Sequence, residues 1–485
     1  MKKGNIFFSL FAAFVFIMSG CSEGNGVEQQ GWNVSDLSVS EKINKFVVDM
    51  VEEVYLWEAE TNWSRYNDRK ALAKYTNHEA LFKELLYKDD HWSMLTDDIA
   101  GLGNEFAGIS TTFGYWPNFY KLSSGDIIAV ILYSTPGSPA EKAGIKRGDV
   151  IVEINGGKMT EKNYLDLYYA SSVVVRCGVM DTDTKTFEPL PETKSITAVN
   201  MYEDPVLANR IIEKEGHKIG YLCYIGYQMD SEKDLVRIFT DFKSEGVTDV
   251  VLDLRYNPGG YSRTALLLSS ILAPESVVKN KGVFLEQKYN RLITNYFDSQ
   301  NYDMKEYFVD TLTVNMNLDR LYVLTSANTA SASEATMVGL EPYLDLIRIG
   351  GKTSGKYCGG SLFSPEDMYG VSNKDYYRNF SNWGMYIMMF RFCSIKGVSS
   401  FTGGLEPDIP AKEDYFDLKQ FGDEDDPLLG RALARILNKA YVEKRSVKVS
   451  MSATPLPEIK RPFDGLMIFS PSSLPLFSSP RLIPE

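Results

Sequence analysis

Histidine is scarce in this chain: of 485 residues only His78, His91 and His217 carry an imidazole. A Ser-His-Asp triad needs one to receive the serine proton. His78 and His91 fall in the helical N-terminal region, and His217 sits in a Glu-Gly-His-Lys turn that reads as exposed. Hydrolytic chemistry here would need another base. Cysteine is also sparse. Cys21, Cys177, Cys223, Cys358 and Cys393 are all far apart, so no CxxC or zinc spacing arises. Cys223 and Cys393 lie in apolar runs and read as buried thiols; export would permit a disulfide, but the spacing assigns no pair. No cluster of Lys and Arg occurs, and the net charge is -13, which argues against nucleic acid as a partner. Internal repeats are lacking. What remains is ordinary globular composition, 44% hydrophobic and 24% charged, at a length that suggests two to four domains.

The first residues read MKKGNIFFSLFAAFVFIMSGC. Lys2 and Lys3 give a positive start, and Ile6 to Met18 is an apolar core too short for a comfortable membrane span. Met-Ser-Gly-Cys closes it, and the whole resembles a bacterial lipoprotein signal. The resemblance implies cleavage after residue 20 and lipidation of Cys21, hence anchoring without a spanning helix. The expected location is the bacterial cell envelope, at the outer membrane or periplasmic face. A plain secretory signal with a chance cysteine is the alternative. Residues 21–37 then read as a tether.

From Ser40 a helix is expected: Ile43, Phe46, Val47, Met50, Val51, Val54 and Tyr55 share one face. A second helical pattern around Leu81 to Tyr87 follows Asn77, giving a small helical domain over 38–100. The texture then changes. IIAVILY (127–133) reads as a strand, and STPGSPAEKAGIKRGDVIVEING ends in another at Val150 to Ile154, after one helical turn at Ala140 to Ala143. This wording resembles a PDZ domain, assigned to 101–200. Such domains bind a peptide C-terminus by strand addition and carboxylate capture. The resemblance places the capture loop at FAGIS, around Gly108 and Ile109. A spacer role without binding is the alternative.

Beyond residue 200 the pattern is α/β. KIGYLCYIGY and VTDVVLDLR are continuous apolar strands of the kind buried on both faces, each followed by a helical segment. LYVLT, a helix and LIRIG repeat the theme, so a largely parallel sheet is expected over 201–445, with active groups at strand C-terminal ends. The Pro- and Ser-rich segment 446–485 reads as a tail, mostly loosely ordered.

Three strand ends carry candidate chemistry. In DLRYNPGGYSR, paired glycines let the backbone turn sharply and expose amides; a tight turn or an anion hole would both use them. In TSANTASASEATMVGL (325–340), Ser331 and Glu334 fit a capping box, and a serine at a strand-to-helix turn is equally well placed as a nucleophile beside helix-terminal amides. In LIRIGGKTSGKYCGG, Lys356 sits in a glycine-rich loop. Solvated, it would be charged and inert; desolvated, it could accept a serine proton. Gly350, Gly355 and Lys356 also fit the start of a phosphate-binding loop, but Tyr357 stands where Ser or Thr should, and Gly359, Gly360 and Pro365 argue against the helix that should follow.

Together these segments resemble the C-terminal processing peptidases, also called tail-specific or carboxyl-terminal proteases. The likeness covers roughly 38–440. It implies a multidomain α/β fold: a crotonase-like α/β serine protease core, a PDZ-like β-rich domain and a small helical N-terminal domain. It implies Ser331 as nucleophile, Lys356 as base, and Gly260 and Ala332 as oxyanion amides, with no metal or cofactor. Many members carry Gln four residues after the lysine; here that residue is Gly360. The expected function is a serine endopeptidase of the cell envelope acting on protein or peptide substrates, tethered to membrane through Cys21. The alternatives are an inactive relative that binds peptides or apolar ligands, and an acyl-CoA enzyme on the same core, against which the PDZ-like segment and the signal count.

Overall fold

The computed structural model describes residues 36–181, 186–398, 401–442, 453–459 and 466–468. The signal, Cys21 and nearly all of the tether lie outside the described residues.

The first helix runs Val39–Val54, started by Ser38 in a capping box with Glu41. All seven residues of its expected apolar face are buried. Asn77 caps a second helix, His78–Leu85. Neither forms a core of its own. Both pack into the cluster that also holds Leu252, Leu321 and Val323 of the parallel sheet and the strand residues Tyr386 to Phe390.

The PDZ-like part is a curled antiparallel sheet in which Tyr115–Leu122, Ile127–Ser134, Val150–Ile154 and Ser172–Asp181 are successive neighbours. The short turn Pro139–Lys142 and the helix Tyr164–Tyr168 close its core. Gly108 and Ile109 are not part of this sheet. Gly108 takes φ 77° just beyond the helix Ile99–Phe106, and Ile109 pairs with Tyr202 in a separate two-stranded ribbon. The loop leading into the strand beside Tyr164–Tyr168 is Phe113–Gly114.

The α/β part contains two sheets. In the first, His217–Tyr224, Asp249–Asp253, Arg320–Thr325, Asp345–Gly350 and Ile409–Pro410 are parallel, with Val206–Lys214 antiparallel on the edge. Helices Glu232–Ser244, Ser262–Leu272 and Ala332–Leu340 follow successive strands, as buried apolar strands require. The second sheet, mainly antiparallel, runs through Cys358–Phe363, Gly384–Cys393 and Val283–Tyr289. It is what the glycine-rich loop leads into: Lys356 is followed by a strand, which removes the phosphate-loop reading.

Two short stretches of the tail lie among the described residues, and both join sheets. Ala453–Pro455 pairs antiparallel with Tyr120–Leu122, and Met467–Ile468 forms a strand between Gly260–Tyr261 and Gly360. Apolar Leu466, Met467 and Ile468 are 1%, 2% and 4% exposed, and their burial outweighs the breaking effect of the surrounding Pro and Ser.

Candidate active site

The site forms where two parallel strands end side by side. Strand Asp249–Asp253 leads into the Asn257-Pro258-Gly259-Gly260 turn, and strand Arg320–Thr325 into the Ser331 turn. Asn257 joins them. Its backbone carbonyl accepts from Ala330 N–H at 3.1 Å and Ser333 Oγ at 3.0 Å, while its side chain accepts from Gly259 N–H at 2.9 Å and donates to Tyr224 O at 2.9 Å.

The many hydroxyls of this segment have separate tasks. Ser326 Oγ donates to Arg255 O, and Thr329 Oγ1 donates to Leu254 O at 2.8 Å. Thr336 Oγ1 donates to Ala332 O at 2.9 Å. Ser331 Oγ is different: it is buried and has no hydrogen-bond partner among the described residues. The capping box is thus half made. Glu334 reaches back to Ser331 N–H at 2.8 Å, but the serine hydroxyl is left free. Ser331 also holds φ 59°, ψ -112°, a conformation that costs a non-glycine residue roughly 1–3 kcal/mol.

Lys356 is fully buried and its Nζ likewise lacks a hydrogen-bond partner among the described residues. Burial pushes its pKa down to about 8, against the opposing pull of Cys358, Asp90 and Glu334. The amine lies 5.4 Å from the Trp92 ring centre and 5.7 Å from that of Tyr386. These rings wall it off from water. Neighbouring Cys358 is no rival nucleophile, because burial pushes its thiol up to about 12.

One carboxylate ties the Lys356 loop to the Ser331 turn. Glu334 Oε2 accepts from Ser331 N–H at 2.8 Å and Lys356 N–H at 2.9 Å; Oε1 accepts from Gly355 N–H at 2.7 Å and Thr353 Oγ1 at 2.5 Å. Burial pushes its pKa up to about 7 despite these four donors. The sequence reading gave Glu334 only a capping role. Its signal was present in the SASE pattern, but the partners 19 to 22 residues away were not.

Gly360 has a steric reason. It sits at a bulge opposite Met388, and a Cβ there would meet Ile387 O at 2.1 Å. No glutamine fits at this backbone; Trp92 and Tyr386 flank the lysine instead.

A second buried cluster braces the first turn. Arg255 pairs with Asp253 at 2.8 Å, Glu413 at 2.8 Å and Asp426 at 2.7 Å. Arg147, from the GIKRGD turn of the PDZ-like sheet, pairs with Glu413 and donates to Leu132 O at 2.7 Å. Tyr256, beside the Gly-Gly turn, donates to Glu413 at 2.6 Å. Burial pushes the Glu413 carboxyl up, but Arg255 and Arg147 outweigh it and hold it below its ordinary value. The PDZ-like sheet is therefore tied to the strand end that carries Gly259 and Gly260.

The profile of Peptidase family S41 matches residues 218–411, that of the Peptidase S41 N-terminal domain residues 42–94, and that of the PDZ domain residues 130–169. The chain belongs to peptidase family S41. The S41 match spans both turns and the Lys356 loop. Among curated relatives, the chain is 27% identical over 255 residues to the carboxyl-terminal-processing protease of Picosynechococcus sp., covering 51% of this chain and 55% of the relative. It is 27% identical over 318 residues to the carboxy-terminal processing protease CtpB of Bacillus subtilis, covering 65% and 57%. The chain thus spans little more than half the length of these relatives. A solved candidate S41 protease from Bacteroides fragilis superposes with a TM-score of 0.67 at 25% identity, over 81% of this chain and 97% of that one.

Proposed function

We propose that this S41 chain is a serine endopeptidase working through a Ser331–Lys356 dyad. The observation that carries the reading is that one Glu334 oxygen accepts from the backbone amides of both Ser331 and Lys356, whose buried hydroxyl and buried amine make no hydrogen bond to each other or to any other described group. Neutral Lys356 takes the Ser331 proton, Ser331 adds to a peptide carbonyl, and the amides of Gly260 and Ala332 hold the oxyanion. The protonated lysine gives its proton to the leaving amine, and water hydrolyses the acyl-enzyme. Neither hydroxyl nor amine commits hydrogen-bonding capacity to the fold, as a nucleophile and base must not.

The substrates proposed are protein chains presented as extended segments in the cell envelope, with the enzyme anchored through lipid on Cys21. The test is digestion of an unfolded protein such as reduced casein by the parent, Ser331→Ala and Lys356→Ala chains. Both variants are expected to lose cleavage while keeping the fold; undiminished cleavage by either removes the dyad. The steric exclusion of glutamine at Gly360 favours a second reading, a peptide-binding relative without turnover. Tight peptide binding with no labelling of Ser331 by a serine-reactive phosphonate would establish it.

A further inference from the structure

The cleft beside Ser331 is already occupied by the chain's own C-terminal segment, in the manner of a substrate. Met467–Ile468 lies as a strand between Gly260–Tyr261 and Gly360, parallel to both. The amide of Gly260, proposed above as an oxyanion donor, donates to Leu466 O at 2.8 Å. Tyr386, one of the rings flanking Lys356, donates its hydroxyl to Met467 O at 2.7 Å. A Cβ built on Gly259 would meet Leu466 O at 2.7 Å, Ser331 Cβ at 2.8 Å and Ala332 N at 3.1 Å. The tail carbonyl, the nucleophile and both proposed oxyanion amides therefore crowd around one glycine.

Upstream, the same segment uses the PDZ-like sheet. Ala453–Pro455 adds antiparallel to the strand Tyr115–Leu122, Leu456 N–H donates to Phe119 O at 2.9 Å, and Leu456 and Ile459 pack on the PDZ-like core. This is strand addition to a sheet edge, the mode by which such sheets take extended peptides. Glu458, Ile459 and Leu466 line the cleft of about 570 Å³ that runs from Trp116 and Tyr133 to Ala330. One segment thus engages the peptide-binding edge and the anion-binding turn together.

We infer that the protein processes its own tail, cleaving the Leu466–Met467 bond within one chain. The inference rests on the Ser331–Lys356 reading. Ser331 Oγ bonds to the Leu466 carbonyl carbon as its proton passes to Lys356 Nζ. The Leu466–Met467 C–N bond then breaks, and Lys356 returns the proton to the Met467 nitrogen, freeing it as an amine. Water adds to the resulting ester, giving one proton through Lys356 to Ser331 Oγ and the other to solvent, and leaves Leu466 with a carboxylate. In this sequence the released piece is Met467 to Glu485, 19 of 485 residues in a 54.7 kDa chain, or about 2 kDa. The cut clears the leaving strand from the cleft and opens the site to other chains. Leu466 also sets the substrate register: an apolar residue on the acyl side of the bond.

The test is intact-mass measurement on the purified full chain during incubation near pH 8, with casein digestion followed in the same samples. The parent is expected to end at Leu466, at a rate unchanged on dilution. Ser331→Ala should keep its tail. Met467→Pro, which removes the leaving N–H, should keep its tail and, once a protease of different specificity has trimmed it, digest casein like the parent. A parent that digests casein yet keeps residues beyond 466, or is cut only elsewhere, overturns self-processing and leaves the peptidase reading standing. A trimming rate that rises with protein concentration overturns the intramolecular step. If neither casein nor tail is cut, both readings fall.

Discussion

Glu334 Oε2 accepts a hydrogen bond from Lys356 N–H at 2.9 Å and, with the same oxygen, one from Ser331 N–H at 2.8 Å. Both oxygens of this carboxylate face only donors. Glutamine must therefore turn an NH2 group toward two donors whichever way it flips. Glu334→Gln is expected to lower kcat at least about tenfold with little change in KM, and to cost about 1–3 kcal/mol of stability from unsatisfied buried donors. Steady-state kinetics and urea unfolding check this. A variant with parental kcat would show that the bridge does not position the dyad.

Burial of Lys356 predicts a pH profile. Its folded pKa is about 8, and only the neutral amine accepts a proton. Activity, as kcat/KM, should therefore rise with pH through about 8 and level off above it. A flat profile between pH 6 and 9 would point to another base.

The same lysine should weaken the fold. Its folded pKa lies below the unfolded 10.5, so the folded state binds fewer protons between pH 8 and 10.5, and stability rises with pH across that window. Below pH 8 the cost is about 3 kcal/mol, at 1.36 kcal/mol per unit. Lys356→Met, similar in shape, should abolish cleavage yet raise the urea midpoint at pH 7, with a smaller gain at pH 10. A lower midpoint at pH 7 would contradict the desolvation account.

Ser331 holds a positive φ, which glycine adopts freely and alanine does not. Both substitutions remove the proposed nucleophile, but Ser331→Gly should be more stable than Ser331→Ala by about 1 kcal/mol. Thermal unfolding of the inactive pair measures it. Equal stability would mean that the turn stores no strain.

Glu413 is shared by Arg147, Arg255 and Tyr256. Glu413→Gln leaves two buried guanidiniums one carboxylate short and should cost about 3–5 kcal/mol. A loss under about 1 kcal/mol in denaturant titration would show that water or rearrangement replaces the charge.

Local pattern determined much of this protein. The seven-residue face of the first helix, the strands 127–133 and 150–154, and the alternating strands and helices after residue 200 all depend on neighbours a few residues away. Periodicity and turn chemistry encode such features directly, and the wording of the Ser331 and Lys356 loops is equally local. Other features depend on partners that only folding brings together. Gly108 and Ile109 lead into a ribbon whose second strand lies about 90 residues on, a pairing that no local pattern encodes. Glu334 looks like a helix cap until the Lys356 loop closes over it. The Arg147–Glu413–Arg255 cluster joins segments more than 100 residues apart, and charge spacing along the chain carries no trace of it. The tail reads as loose because Pro and Ser dominate it. Among the described residues, Ala453–Pro455 finds a sheet edge and Met467–Ile468 the Gly260–Tyr261 strand, both of which exist only once the other strands have assembled.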